Sequence, residues 1–160
     1  MIPGKILRFL EQDANVGFAG SRDRDLVPFG HRVSGWRIGA DHRTMTVLVP
    51  DEFLPRLLES LQENRELAVT IEAFPCHETY EFKGHYVSHR QVDDGDFEAA
   101  DRVRRRWVKS IKMLYTNATE DVLKGFVSRP SLAVDVEVLE VFLQTPGPGA
   151  GTRLVPAPEH

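Results

Sequence analysis

Apolar residues recur along this chain with two different periods, and the switches between them mark out its elements. Ile6, Leu7 and Leu10 in ILRFLEQ have the three- and four-residue spacing of a short helix. NVGFAGSRD (15–23) reads as a first strand running into the turn-rich Asp23-Arg24-Asp25. LVPFGHRVSGWRIGA (26–40) reads as a long second strand, whose Gly30 and Gly35 suggest a bulge or the close approach of another backbone or a ligand. TMTVLVP (44–50) sets Met45, Val47 and Val49 against Thr44, Thr46 and Leu48, a half-buried strand. The period then becomes helical in DEFLPRLLESLQENREL (51–67), with Leu54, Leu57, Leu58 and Leu61 on one face, Asp51 as N-cap and Pro55 in the first turn.

Strands follow at LAVTIEAF (67–74) and TYEFKGHYVSHRQV (79–92). A long helix, FEAADRVRRRWVKSIKMLY (97–115), presents Phe97, Ala100, Val103, Trp107, Ile111 and Leu114 as its apolar face, with the acids of 93–96 at its positive end. A short helix after Thr119 and a strand at SLAVDVEVLEVFLQ (131–144) complete the pattern. Six short strands with mostly hairpin-length connections predict a mostly β, α+β domain: an antiparallel barrel with peripheral helices over residues 1–145. The Pro/Gly-rich remainder, 146–160, is expected to be an extended or mobile tail.

Composition narrows the function. With 160 residues, 41% hydrophobic and 28% charged, the chain suits one soluble domain with its own core. A formal charge of −4 and a pI near 5.9 argue against nucleic acid as the default partner. The single cysteine, Cys76, excludes an internal disulfide framework and fits a reducing cytoplasm. No apolar run is long enough for a membrane helix, and no GxGxxG or Walker motif is present.

Two polar strand segments echo one another, GHRVSG (30–35) and GHYVSH (84–89). Strict alternation puts His31, Val33, Gly35 and Arg37 on one face and Arg32, Ser34, Trp36 and Ile38 on the other. His85 and His89 lie four residues apart, roughly 13 Å along a strand, too far for one metal ion. Arg102, Arg105, Lys109 and Lys112 form a cationic stripe on the long helix, either a solvated face or a seat for phosphate or carboxylate. Cys76 has only His77 beside it and no third group to complete a nucleophilic site.

The segments VGFAGSRDRDLVPFGHRVSGW, MTVLVPDEFLPRLLESLQENRELAVTI, ETYEFKGHYV and VFLQTPGPGAG together resemble the pyridoxamine 5′-phosphate oxidase-like family over roughly residues 5–150. The resemblance implies a six-stranded split barrel, a homodimer, and FMN held in clefts at its interface. It places the cofactor against His31, Arg32, Val33, Ser34 and Trp36 of the second strand. Val49, Pro50 and Asp51 fall at the family's second phosphate segment, and Thr79 on the fifth strand falls near the flavin ring. His31 stands where the family carries its leading arginine, and Asp51 and Glu52 bring carboxylates to a phosphate segment, with Lys109 a compensating cation. The C-terminus lacks the family's tryptophan signature, so the expectation is an FMN-dependent oxidoreductase acting on another small molecule. The alternative is a binding or sensory module that has lost FMN or takes haem or a deazaflavin instead.

Overall fold

A computed structural model describes residues 1–124 and 128–155. Helix α1 spans Gly4–Gln12, and strands β1 (Val16–Arg22), β2 (Pro28–Arg32), β3 (Gly35–Ile38) and β4 (Thr44–Pro50) follow. A 3-10 turn at Asp51–Phe53 leads into α2 (Leu54–Asn64), then β5 (Glu66–Ala73), β6 (Glu78–Gln91) and α3 (Asp94–Leu114). The chain continues with α4 (Glu120–Lys124), β7 (Pro130–Leu143) and β8 (Thr152–Val155). The strands form one antiparallel sheet in the order β2-β1-β5-β6-β7-β4-β3, with β8 added to β7.

The count is therefore eight strands rather than the six expected, for two physical reasons. The long second strand is really two strands. The Val33 N–H bonds Gly17 O on β1 at 3.0 Å and the next N–H, of Ser34, bonds Leu48 O on β4 at 2.8 Å. The chain thus changes partner within one peptide and joins the two ends of the sheet order, which curls the sheet into a half-barrel. Strict alternation fails at this crossing, and Val33, Ser34, Gly35 and Trp36 are all buried. The second addition comes from the tail. Pairing of β4 with β7 ends at Glu137, leaving the far part of β7 with an open edge, and the chain turns back through Gly151 at φ 85 to lay β8 along it. Residues 156–160 of the expected tail lie outside the described residues.

The interior is filled by the inward positions of the long strands: Met45, Val47 and Val49 from β4, Val69 and Ile71 from β5, Tyr80 and Phe82 from β6, and Val134 and Val136 from β7. Each such side chain contributes about 1.5–3 kcal/mol through burial. Helix α1 adds Ile6, Phe9 and Leu10 to this core, and α2 adds Leu57 and Leu61. Two helix expectations are corrected. Asp51 opens the 3-10 turn and does not cap α2, where no side-chain cap bond forms and Pro55 sits in the first turn as expected. Leu114, expected on the apolar face of α3, is 52% exposed, whereas Val103 and Ile111 of that face are buried.

The start of α3 is anchored by charge. Asp93 and Asp96 form a reciprocal capping box. Asp96, fully buried, also accepts from Arg37 Nη1 on β3 at 3.0 Å and from Arg90 Nη2 on β6 at 3.2 Å. No helix among the described residues is long and apolar enough to cross a membrane.

Candidate functional site

The second-strand residues divide between two surroundings. His31 is 5% exposed and its ring stacks on Phe53 at 5.0 Å and 16°, with Phe29 alongside at 5.6 Å. Its Nδ1 lies 3.1 Å from Arg32 O, while its Nε2 is buried without a hydrogen-bond partner. Burial lowers the His31 pKa below the usual imidazole value, and the backbone contact with Arg32 offsets this only in part. The ring is held neutral. The ring's stacking neighbour is Phe53, the residue that follows the 49–52 segment.

The sign of the resulting pH effect is fixed. The unfolded chain binds a proton on His31 more readily than the folded one, so the stability involved is complete above the ordinary imidazole pKa and is lost as pH falls below it. Denaturant titrations between about pH 7.5 and 5.5 are expected to show His31→Phe losing less stability than the parent, by at most about 1.4 kcal/mol per pH unit. Parallel pH profiles for the two proteins would exclude this role.

Along 49–52, Val49 and Pro50 are buried, whereas Asp51 and Glu52 are exposed. Glu52 accepts from Ser128 Oγ at 3.3 Å, and Ser34 Oγ donates to Ser128 O at 2.6 Å. These contacts tie the segment to its neighbours, and among the described residues no cation is paired with Asp51. Val33 belongs to the core, and so does Trp36, whose Nε1–H reaches Leu10 O at 3.4 Å and pins α1 to β3. Thr79 Oγ1 donates to His77 O at 2.8 Å, within the β5–β6 turn. Lys109 is exposed on α3, and among the described residues it makes no hydrogen bond or ion pair with 31–36 or 49–52.

Arg32 points elsewhere. Its guanidinium lies 4.5 Å from the centre of the Trp107 ring on α3. Burial lowers its pKa, yet arginine stays charged at any ordinary pH. Among the described residues no carboxylate pairs with it. The Trp107 Nε1–H is buried and, among the described residues, has no hydrogen-bond partner. Two side chains whose donors have no acceptor among the described residues are therefore in contact, Arg32 at the end of β2 and Trp107 on α3.

That face continues as an open surface. Burial alternates along β5, so Glu66, Ala68 and Thr70 point outward, as do Phe18, Gly20 and Arg22 of β1. Cross-strand pairing sets Arg32, Phe18 and Thr70 in one row and Gly30, Gly20, Ala68 and Lys83 in the next. Phe18 is 47% exposed. Beyond it opens a cleft of ≈ 450 Å³ floored by Gly20 and Ala68 and flanked by Arg22, Glu66, Lys83 and His85. The volume lies within the range of small-molecule sites, about 300–1,000 Å³. No group of three or more metal-ligating side chains occurs among the described residues.

Sequence reasoning named Arg32 but not Trp107 as its neighbour; it weighed His85 only with His89 as a metal pair, and it passed over Arg22, Glu66 and Lys83. Outward parity on alternating strands was the only signal they carried. His85 and His89 of the second echo also separate, because a bulge between Tyr86 and Ser88 breaks the alternation. His85 lines the cleft, while His89 Nδ1 meets Tyr86 Oη at 2.6 Å.

No family model matches the sequence, and no curated protein sequence is similar to it. Solved structures do match. HupZ of Group A Streptococcus superposes with a TM-score of 0.55 at 14% identity, covering 94% of this chain and 100% of that one. A candidate pyridoxamine 5′-phosphate oxidase from Lactobacillus delbrueckii gives 0.53 at 13% identity, over 88% and 93% of the two chains. The fold is the pyridoxamine 5′-phosphate oxidase-like split barrel. An FMN-binding protein from Syntrophomonas wolfei shares this split barrel, with a TM-score of 0.51 at 11% identity over 84% of this chain and 80% of that one.

Proposed function

We propose that this split barrel binds a flat, anionic ligand of the flavin class, FMN, across the outer face of β2, β1, β5 and β6, and acts as an oxidoreductase on a small molecule. The observation that carries this reading is Arg32, a half-buried guanidinium with no carboxylate partner among the described residues, set against a Trp107 whose indole N–H also lacks an acceptor among them. Both groups donate and neither accepts, so an anion completes them. The segment 49–52 does not fit a phosphate, since its exposed side chains are carboxylates and Pro50 has no N–H to offer.

From the Phe18 row to Arg22 is four residues of β1, on the order of 13 Å. A ribityl phosphate and a fused ring span that interval. The phosphate would sit at Arg32 and the ring over Gly20 and Ala68, where the absence of large side chains leaves the sheet flat. Phe18 supplies an apolar edge beside the ring. A bound flavin would supply hydride or electron transfer, with the protein setting its orientation and access. The work of Arg32 is to neutralise the phosphate, and that of Trp107 is to hold the guanidinium plane in place and exclude water from one side of it.

Flavin fluorescence titration tests this. FMN is expected to bind saturably, and Arg32→Met, which keeps an unbranched chain against Trp107 but removes the donors, is expected to weaken FMN by about 10–100-fold. Riboflavin, which lacks the phosphate, should bind parent and variant alike. A colourless protein with no FMN affinity would leave the binding-module reading in its place.

A further inference from the structure

The far end of the cleft carries a row of polar groups. Arg22 on β1, Glu66 on β5 and His85 on β6 occupy one rung across three neighbouring strands. Arg22 Nη2 and Glu66 Oε2 are 2.8 Å apart, and Glu66 and His85 are cross-strand partners. All three line the cleft. Read across the sheet, the row is donor, acceptor, donor: guanidinium N–H, carboxylate oxygen, imidazole N–H.

The backbones bearing the first two are held by one side chain. Asn64 Nδ2 donates to Arg22 O at 2.6 Å, and Asn64 Oδ1 accepts from the Glu66 N–H at 2.8 Å. Ser60 Oγ adds a second bond to Arg22 O at 2.5 Å. The side chains themselves remain partly exposed, at 38% for Arg22 and 53% for Glu66, so their outer hydrogen-bonding positions are open to a ligand. The end of α2 therefore presets the spacing of the row, while the row's tips face the cleft.

We propose that Arg22, Glu66 and His85 recognise an imide edge, a ring carrying acceptor, donor and acceptor in succession. This inference rests on the flavin reading above and specifies which end of the ring enters the cleft. The two carbonyl oxygens of the pyrimidine end accept from Arg22 and His85, and the N–H between them donates to Glu66. The charges suit a neutral ring edge, because Arg22 and Glu66 balance one another and leave the anion to Arg32. Asn64 is a positioning residue, acting through the two backbones it bridges.

The imide hydrogen can be removed from the ligand without touching the protein. Titration of the full chain with FMN and with FMN methylated at the imide nitrogen is expected to show the methylated compound binding about tenfold more weakly. Glu66→Ala is expected to reduce that preference to near unity, while Arg32→Met weakens both ligands equally. FMN binding with no loss on methylation would overturn the imide assignment and leave the flavin reading intact. A tenfold preference that survives in Glu66→Ala would overturn the role of Glu66. Failure of both ligands to bind would remove the flavin reading and this inference together.

Discussion

Gly84→Ala is expected to destabilise the protein by about 3 kcal/mol or more, at the upper end of what overpacking costs. A Cβ built at this position would stand 2.0 Å from the carbonyl oxygen of Glu137 and 2.8 Å from its carbonyl carbon, with Val136 Cγ1 at 3.1 Å. Two of these are backbone atoms of β7, so no rotamer change relieves the contact. Nor can β6 move away, because β5 pairs with its other edge from Glu78 to His85. The strand register shifts between Lys83 and Gly84, which brings the β7 backbone over the glycine and makes the missing side chain a condition of the bulge. Gly20→Ala is the matching control: its Cβ would meet nothing within 4 Å, and its stability should stay within about 0.5 kcal/mol of the parent. Urea denaturation of the two variants decides the matter, and a Gly84→Ala protein within about 1 kcal/mol of the parent would refute the packing account.

Asp96→Ala is expected to cost about 3–5 kcal/mol, the range for removing one partner of a buried charge network. The carboxylate accepts from Arg37 and Arg90 and from the Asp93 N–H at 3.0 Å. Without it, α3 loses half of its capping box and its two tethers to β3 and β6, and the guanidinium groups lose their deepest anion. The pH dependence carries a signature. Burial pushes the Asp96 carboxyl upward, but the bonds from Arg90, from the Asp93 backbone and from Arg37 outweigh it and hold the pKa at about 2. Its folded value lies below its unfolded value of 3.8, so its contribution is complete above that unfolded value and disappears as pH falls to about 2. Thermal melts should therefore show the parent losing stability across that interval and Asp96→Ala changing less. An acid limb of equal steepness in both proteins would count against the network.

Much of the architecture was legible because it depends on local periodicity. The alternation in TMTVLVP, the leucine spacing of 54–61 and the long amphipathic run ending near Leu114 each state which face must be buried, and burial of that face is what forms the element. The acids at 93–96 could likewise be placed at a helix start from the dipole alone. Closure of the barrel was not legible. Nothing in GHRVSGW distinguishes one bent strand from two, since the break is made by Gly17 on one side and Leu48 on the other accepting from adjacent N–H groups. The pairing of Thr152–Val155 was not legible for a related reason: it forms along the part of β7 that outruns β4.

For the candidate site the division is sharper. The sequence by itself determined the chemistry on offer, an arginine at position 32, carboxylates at 51 and 52, and imidazoles at 31 and 85, because side-chain charge and hydrogen-bonding capacity belong to the residue. It also determined the alternating strands on which a split barrel could be expected. Only the tertiary structure decided which groups are left with unmet bonds. His31 is stacked against Phe53 and held neutral by burial, whereas Arg32, one residue on, meets Trp107 from 75 positions away and has no carboxylate partner among the described residues. Desolvation and pairing depend on neighbours brought in from distant parts of the chain, and no local pattern records them.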